Sequence, residues 1–197
     1  MQGKLIVFEG PDGSGLSTHS KMLADYLKSK GVDVLLTKEP TENMIGAMIK
    51  GTFLKEKQKI SADALQLIFC ADRAQHLAEE IEPALAAGKT VVCDRYILST
   101  LAFGSLSCDL NFLKQVNSQF RKPDLTFIID VPPEVSMQRI KASRTGTELY
   151  EKLDTLKKVR SNYASLKDYF ENTFVINNNR PLEQAAQEIR NIADKLF

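Results

Sequence analysis

The feature that most constrains this chain is a glycine-rich segment near its start, Gly10-Pro11-Asp12-Gly13-Ser14-Gly15-Leu16-Ser17-Thr18. An apolar run at residues 4–9 precedes it, and residues 17–30 after it carry apolar side chains at helical spacing. Strand, glycine loop and helix in this order are the context of a P-loop, whose backbone N–H groups and helix N-terminus bind phosphate. The sequence therefore predicts phosphate binding at residues 10–18, with the Ser17 hydroxyl as a ligand of Mg²⁺.

One position of this loop departs from the pattern. A P-loop normally has a lysine where this chain has Leu16, and that lysine reaches the outer phosphates of the nucleotide. Losing such a donor costs about 3–4 kcal/mol in the transition state unless another cation replaces it. The backbone donors and the helix dipole do not depend on this side chain. We therefore expect phosphate binding to survive and the catalytic charge to come from elsewhere.

The rest of the chain alternates short β-rich runs with stretches of helical periodicity, which is typical of a parallel sheet with helices on both faces. The predicted strands are residues 4–9, 32–37, 90–94, 125–131 and 173–176. The longest predicted helices are residues 17–30, 61–87 and 181–197. We expect an α/β protein with the three-layer P-loop NTPase fold, a five-stranded parallel sheet flanked by helices, in a single domain over residues 1–197.

Composition limits the partners of the chain. The formal net charge is +1 at pH 7, so nothing attracts the whole molecule to nucleic acid or to a lipid surface. No apolar run approaches the roughly 18 residues that span a bilayer, and the apolar start is too short for a signal peptide. Cys70, Cys93 and Cys108 share no metal-ligand spacing. We therefore expect a cytoplasmic protein that binds neither nucleic acid nor membrane.

A second set of candidate residues follows the third predicted strand. Asp94 and Arg95 stand at its carboxyl end, where ligands of open α/β sheets bind. Asp94 can hold the water shell of Mg²⁺, and the Arg95 guanidinium can bind a phosphate with two hydrogen bonds. Phe69 and Arg73 lie four residues apart on one helical face and form a candidate nucleobase pocket. Phe69 by itself also fits plain core packing.

A basic segment, residues 141–158, surrounds a Thr145-Gly146-Thr147 turn. By itself this pattern fits a solvated helix face with a surface loop, but beside a P-loop it predicts a mobile cationic lid over residues 141–152. Our hypothesis is that Arg144, the cation nearest the turn, supplies the charge missing at Leu16, with Lys141 as second choice. The predicted catalytic residues are Ser17, Asp94, Arg95 and Arg144.

Five segments together resemble the thymidylate kinase family in order and spacing, over nearly the whole chain. They are Phe8-Glu9-Gly10-Pro11-Asp12-Gly13-Ser14-Gly15, Thr37-Lys38-Glu39-Pro40-Thr41, Leu67-Ile68-Phe69-Cys70-Ala71-Asp72-Arg73, Asp94-Arg95-Tyr96-Ile97-Leu98-Ser99-Thr100 and Lys122-Pro123-Asp124-Leu125-Thr126. The resemblance implies a nucleoside monophosphate kinase that transfers a phosphoryl group from ATP to dTMP with Mg²⁺ as cofactor. It also implies a homodimer.

Residue roles follow from the same resemblance. It implies that Asp12 bonds the deoxyribose 3′-hydroxyl, that Phe69 stacks on thymine and that Arg73 binds the base edge. Arg95 then holds the acceptor phosphate, and Asp94 lies beside Mg²⁺. The full set implied for dTMP is Asp12, Glu39, Pro40, Phe69, Arg73, Arg95, Ser99 and Phe103, and the set implied for adenine is Arg139, Asn178 and Arg180.

Three further positions depart from the family pattern. Leu149 stands where the family's lid often has an arginine, Phe103-Gly104 replaces a tyrosine-glutamine pair, and Lys38 replaces a frequent arginine. Fewer polar groups beside the thymine predict looser selectivity for the acceptor base. The cations missing at positions 16 and 149 keep open a catalytically weak or inactive nucleotide-binding relative. A deoxynucleoside kinase with Glu39 as general base is the other alternative.

Overall fold

The fold is built around a parallel β-sheet. The computed structural model describes residues 3–55, 59–143 and 150–197. Its strands are β1 Leu5–Glu9, β2 Val34–Lys38, β3 Thr90–Asp94, β4 Leu125–Asp130 and β5 Thr173–Asn177. They form one five-stranded parallel sheet in the spatial order β2-β3-β1-β4-β5. The sheet confirms the predicted α/β class, and each predicted strand is present within two residues of its expected bounds.

Helices pack on both faces of this sheet. They are α1 Leu16–Ser29, α2 Met44–Met48, α3 Ala62–His76, α4 Glu82–Ala86, α5 Ile97–Gly104, α6 Leu110–Asn117, α7 Pro133–Ser143, α8 Tyr150–Ser165 and α9 Leu182–Ala193. The π-helical turns Ile49–Lys55 and Leu77–Ile81 continue α2 and α3. The single helix predicted over residues 61–87 is therefore a composite of α3, a π-helical turn and α4. Helices α2, α5 and α6 are too short to show a clear helical repeat, and the sequence analysis did not predict them.

The predicted lid falls mostly outside the described residues. Residues 141–143 form the end of α7, where Lys141 is exposed, and residues 150–152 open α8. Arg144, the Thr145-Gly146-Thr147 turn and Leu149 lie outside the part of the chain that the structure describes. The lid therefore stays a prediction.

Two apolar layers hold the sheet between its helices. Leu5 and Val7 of β1 enter the layer formed with α4, α5 and α8, whereas Ile6 and Phe8 enter the layer formed with α1 and α9. Every residue of β1 is buried, as expected for a central strand that is covered on both faces. Within the described ranges, no helix is both long enough and apolar enough to cross a membrane.

The strand register brings three carboxyl ends to one edge of the sheet. Phe8 of β1 pairs with Asp94 of β3, and Asp94 pairs in turn with Lys38 of β2. Just beyond the last pair, Glu39 N donates to Asp94 O at 2.9 Å. The loops that follow these strands therefore start side by side, at the edge where open α/β sheets bind their ligands.

Candidate active site

Two glycines shape the loop that joins β1 to α1. Gly13 and Gly15 have left-handed φ values of 75° and 102°, which residues with a side chain rarely adopt. A Cβ atom on Gly13 would lie 2.7 Å from Ser136 O of α7, and one on Gly15 would lie 2.8 Å from Asn178 Nδ2. These approaches leave no room for a side chain, so the loop packs closely against α7 and the end of β5. The loop thus has the strand-loop-helix setting that phosphate binding requires.

A network of polar side chains packs against the P-loop, with Asn178 and His19 buried at its centre. Asn178 Nδ2 donates to Ser14 O at 2.7 Å, and Arg139 donates to Ser14 O at 3.3 Å and to Asn178 O at 3.0 Å. His19 Nε2 lies 3.0 Å from Asn178 Oδ1. Burial lowers the pKa of His19, so the neutral ring donates from Nε2 to the amide oxygen. The sequence analysis missed His19, because no local pattern marks a histidine on the buried face of a helix as functional.

The residues predicted to bind adenine lie beside this network. Arg139 and Asn178 are in direct contact. Arg180 pairs with Glu188 of α9, and its charge also lowers the pKa of His19, after the larger influence of burial. The structure therefore brings all three residues to the same side of the P-loop. Their role toward adenine stays a prediction.

A cleft of about 550 Å³ opens beside the P-loop, and we call it the phosphate cleft. The predicted phosphate-binding residues that line it are Asp12, Gly13, Gly15, Leu16, Ser17 and Thr18. Gly10 and Ser14 are buried behind the loop instead. Residues of other segments complete the lining, namely Lys38, Glu39, Lys50, Asp94 and Arg95. The cleft is therefore lined by the P-loop together with charged side chains from β2, β3 and the segments that follow them.

Two oxygen atoms meet at the predicted metal site. Ser17 Oγ, on the first turn of α1, donates to Asp94 Oδ2 at 2.5 Å. Both residues line the phosphate cleft. A hydroxyl and a carboxylate are hard oxygen ligands of the kind that Mg²⁺ takes, together with water and substrate phosphates. The donor set of Ser17 and Asp94 therefore fits the predicted ion.

Arg95 is held rigidly at the inner end of the cleft. Its backbone is left-handed, with φ of 71°, which is unusual for a residue with a side chain. The guanidinium donates to Asp12 Oδ1 at 2.8 Å, to Gly10 O at 3.1 Å and to Ser99 Oγ at 3.2 Å. It also lies over the ring of Phe103, 5.1 Å from the ring centre. Arg95 is therefore a fixed cation at the edge of the sheet, as expected for a residue that binds phosphate.

Glu9 is a buried acid directly behind Arg95. Ser99 Oγ donates to Glu9 Oε2 at 2.5 Å, and Tyr96 N donates to Glu9 Oε1 at 3.0 Å. Burial raises the pKa of Glu9 to about 7, although the Ser99 hydrogen bond and the Arg95 charge act in the opposite direction. The sequence analysis assigned Glu9 no role, because in the sequence it stands only as the last residue of a predicted strand.

A second cavity, of about 320 Å³, adjoins the phosphate cleft between α3 and α5. All of the residues that the resemblance implied for dTMP line it, namely Asp12, Glu39, Pro40, Phe69, Arg73, Arg95, Ser99 and Phe103. The sequence analysis did not include Leu65, Gln66, Tyr96 and Thr100, which also line it. Phe69 and Phe103 supply aromatic faces of the kind that stack on a base. The cavity therefore fits a small aromatic ligand with a few polar groups.

Arg73 is almost fully buried in the wall of this cavity, with only 2% of its side chain exposed. It pairs with Glu39 Oε2 at 2.8 Å, and it donates to Thr100 Oγ1 at 3.1 Å and to Asn117 Oδ1. Glu39 Oε1 also lies 3.1 Å from His76 Nδ1. Arg73 is thus a fixed part of the wall, held by residues of three other segments. Asn117 and His76 were missed, because only the packing of α6 and α3 brings them to Glu39 and Arg73.

Leu16 occupies the position of the usual P-loop lysine. The residue is 6% exposed and belongs to the apolar layer that also contains Phe8 and Leu23. It lines the phosphate cleft as well. At this point the cleft therefore offers an apolar surface where a P-loop usually offers an ammonium group.

The two cavities meet at shared walls. Asp12, Glu39, Pro40 and Arg95 line both of them. A ligand in the smaller cavity and a phosphate chain on the P-loop would therefore meet at Arg95. This parallel sheet, the P-loop and two joined cavities define a P-loop nucleotide kinase.

Comparison with known proteins agrees with this class. The sequence profile described as thymidylate kinase matches residues 8–189. A probable thymidylate kinase of Pyrococcus horikoshii is 43% identical in an alignment of 194 positions that covers 96% of this chain and 95% of that protein. The thymidylate kinase of Desulfotalea psychrophila is 43% identical in an alignment of 166 positions that covers 83% of this chain and 82% of that protein. That of Caldicellulosiruptor saccharolyticus is 34% identical in an alignment of 203 positions that covers 100% of this chain and 98% of that protein. The chain belongs to the thymidylate kinase family.

Proposed function

We propose that this protein transfers the γ-phosphoryl group of ATP to dTMP, giving dTDP and ADP. The observation that carries the proposal is the meeting of the two cavities at Arg95, which lines the phosphate cleft and the smaller cavity alike. A monophosphate bound in the smaller cavity would present its phosphate to Arg95. The terminal phosphate of a nucleotide on the P-loop would lie on the other side of the same guanidinium.

The reaction needs alignment and charge neutralisation more than proton transfer. The acceptor is a phosphate monoester that is already anionic near neutral pH, so no general base has to activate it. The P-loop amides and Arg95 offset the repulsion between two anionic substrates. Mg²⁺, held through Ser17 and Asp94, would neutralise charge on the phosphates of ATP.

Glu39 supports a monophosphate as the acceptor. In a deoxynucleoside kinase a free carboxylate would take the proton of a sugar hydroxyl, and Glu39 is the acid in this cleft with the right position along the chain. However, Glu39 is 6% exposed and is bound by Arg73 and His76. Both oxygens of the Glu39 carboxylate are therefore already engaged, which leaves it poorly placed to take a proton from a sugar hydroxyl.

We propose that Phe69, Phe103 and Arg73 determine which nucleobase the acceptor may carry. Phe103 and Gly104 present no polar group where the family often has tyrosine and glutamine. A Cβ atom on Gly104 would lie 2.9 Å from Leu113 Cδ1, so a longer side chain would need local rearrangement. We therefore propose recognition of thymine chiefly by stacking and shape, with some activity toward dUMP.

A homodimer is also part of the proposal. Leu67, on the outward face of α3, is 47% exposed, whereas Leu98 and Leu101 of α5 belong to the core at 0% exposure. We expect Leu67→Glu to shift the protein toward monomer in analytical ultracentrifugation, with unchanged circular dichroism. A wild-type protein that sediments as a monomer at micromolar concentration would contradict this part.

The reaction is tested by steady-state release of ADP from Mg-ATP with dTMP, dUMP, dGMP or dCMP as acceptor. We expect the highest kcat/KM with dTMP and a measurable rate with dUMP. Arg95→Ala should abolish turnover while leaving ATP binding in place, since the P-loop is intact. ATP binding without turnover on any acceptor would instead identify an inactive nucleotide-binding relative.

A further inference from the structure

Lys50 lines the phosphate cleft together with the P-loop. It lies on the π-helical turn Ile49–Lys55 that continues α2, and it lines the same cleft as Leu16, Ser17 and Asp94. Leu16 leaves the P-loop without the ammonium group that a lysine would supply at this position. A cation for the transferred phosphoryl group therefore has to come from another element.

We propose that Lys50 supplies the positive charge that P-loops usually obtain from a lysine at position 16, acting on the phosphoryl group as it passes from ATP to dTMP. The assignment rests on the proposed function for the identity of the reaction. It concerns a residue from the π-helical turn after α2, not one from the P-loop or α1.

The surroundings of the Lys50 ammonium group suit this role. Its Nζ atom is shielded from solvent, although 31% of the side chain is exposed. Nζ lies 2.7 Å from Glu42 Oε1 but makes no aligned hydrogen bond to any described residue. A charge sheltered from water acts more strongly on a nearby anion. With three N–H donors, the group has capacity for a phosphate.

Glu42 forms ion pairs with two lysines that line the cleft. Lys38 Nζ and Lys50 Nζ lie 2.8 Å and 2.7 Å from the same oxygen, Glu42 Oε1. Close contact with the ammonium groups of Lys38 and Lys50 lowers the pKa of Glu42 to about 2, so it stays ionised at neutral pH. Lys38 has 55% of its side chain exposed, which weakens its action on a distant anion because water screens it. Of the two lysines, Lys50 is therefore the better placed to act inside the cleft.

The segment that carries Lys50 is anchored on α3. Asp72 accepts hydrogen bonds from Thr41 N at 2.8 Å and from Thr41 Oγ1 at 2.6 Å. Asn43 caps α2 by accepting from Ile45 N at 3.0 Å, and Ile49 is fully buried. A charge that is positioned before the substrates bind needs no reorganisation during the reaction. The anchoring therefore gives Lys50 the preorganisation that a catalytic cation needs.

Rates of dTMP phosphorylation test the assignment. Lys50→Met should lower kcat about 10²-fold, as for the loss of one preorganised donor, while Lys50→Arg should retain most of the rate. Leu16→Lys should change the wild-type rate little but restore activity to the Lys50→Met protein. Lys21→Met is the matched control, since Lys21 pairs with Asp25 on the outer face of α1 and should leave kcat unchanged.

Two results would overturn the assignment. One is a Lys50→Met protein with the wild-type kcat. The other is a larger loss in Lys38→Met or in Arg144→Ala than in Lys50→Met, since the charge would then come from Lys38 or from the residue that the sequence analysis proposed.

Calorimetric titration with ATP and with ADP separates this assignment from the proposed function. Lys50→Met should weaken ATP binding about tenfold, equivalent to about 1.4 kcal/mol, and ADP binding less, because ADP lacks the phosphoryl group that Lys50 contacts. This difference does not require turnover. If the wild-type protein releases no ADP with dTMP but shows the difference, the proposed reaction is wrong and the assignment of Lys50 to the outer phosphate stands. Equal effects on ATP and ADP would contradict it.

Discussion

Arg95 Nη2 and Asp12 Oδ1 form an ion pair of 2.8 Å that joins the carboxyl end of β3 to the P-loop. Asp12 is largely exposed, with 62% of its side chain accessible, so water screens the pair and its contribution to stability is small. Its value lies in orientation, because it aims the guanidinium at the junction of the two cavities. In the proposed reaction, the acceptor phosphate would take the place of Asp12 at Arg95 and free the Asp12 carboxylate for a sugar hydroxyl.

Arg95→Lys should lower kcat about 10²-fold with a smaller change in ATP binding. Lysine keeps the charge but cannot bond Asp12, Gly10 and Ser99 together, so the cation loses its fixed direction. Steady-state rates with dTMP measure the effect. Arg121→Lys is the control, since Arg121 binds Glu82 and lines neither cavity. Equal rates for wild-type and Arg95→Lys proteins would show that the hydrogen bonds of the guanidinium group are not needed for the reaction.

Arg73→Met should destabilise the protein by about 3–5 kcal/mol, because it leaves the buried Glu39 carboxylate without its main partner. Adding Glu39→Gln to this variant should recover part of the loss, since the unpaired charge is then removed. Urea unfolding of the two single variants and the double variant measures the coupling. The exposed pair Lys21 and Asp25 provides the control, where Lys21→Met should leave the midpoint unchanged. If the changes in unfolding free energy of the two single variants simply add in the double variant, Arg73 and Glu39 do not stabilise each other as a pair.

Glu9→Gln should flatten the dependence of stability on pH between about pH 4.5 and pH 7. The pKa of Glu9 is raised from 4.5 to about 7 in the folded protein, so the folded state holds a proton that the unfolded state releases in this window. The stability that this proton contributes is present below pH 4.5 and is lost as the pH rises through 7. The difference corresponds to about 3 kcal/mol.

Unfolding of wild-type and Glu9→Gln proteins in urea at several pH values measures this difference. The free energy of unfolding of the wild-type protein, relative to that of the variant, should fall as the pH rises. Parallel curves for the two proteins would rule out a Glu9 carboxyl group that is protonated in the folded state at mildly acidic pH.

Gly13→Ala should weaken ATP binding about tenfold or more, equivalent to at least 1.4 kcal/mol, because its Cβ would lie 2.7 Å from Ser136 O and displace the loop. Gly31→Ala is a matched control. Gly31 has a similar φ of +83° but no atom within 4 Å of a Cβ, so it carries the same backbone strain of about 1–2 kcal/mol without the clash. Thermal unfolding and ATP titration of both variants separate strain from displacement. Equal ATP affinities would contradict a tightly packed loop.

Contiguous parts of the site could be predicted from the sequence. The P-loop and the Asp94-Arg95 pair are short segments whose residue types carry their chemistry, and the alternation of strands and helices places both at the same edge of a parallel sheet. The residues implied for dTMP come from four separate segments, and they do line one cavity. The family resemblance predicted that grouping, since no local pattern joins Phe69 to Phe103.

Other parts depend on distances across the fold. The sequence shows that Leu16 replaces the usual lysine. Its place in the apolar layer formed by α1, β1 and α9 is visible only in the folded structure. Asn117 reaches Arg73 from α6, 44 residues further along the chain. Neither the hydrogen bond nor the burial of these groups leaves a signal in the local sequence.

The sequence by itself therefore determined that the fold is a parallel α/β sheet and predicted phosphate binding at residues 10–18, since both follow from residue types at fixed short spacing. The tertiary structure alone decided which charges line the cleft beside the P-loop. Burial raises the pKa of Glu9, and the packing of separate elements brings Lys50 to the same cleft as Leu16. Desolvation and distance between charges are properties of packed elements, and they act between residues that lie far apart along the chain.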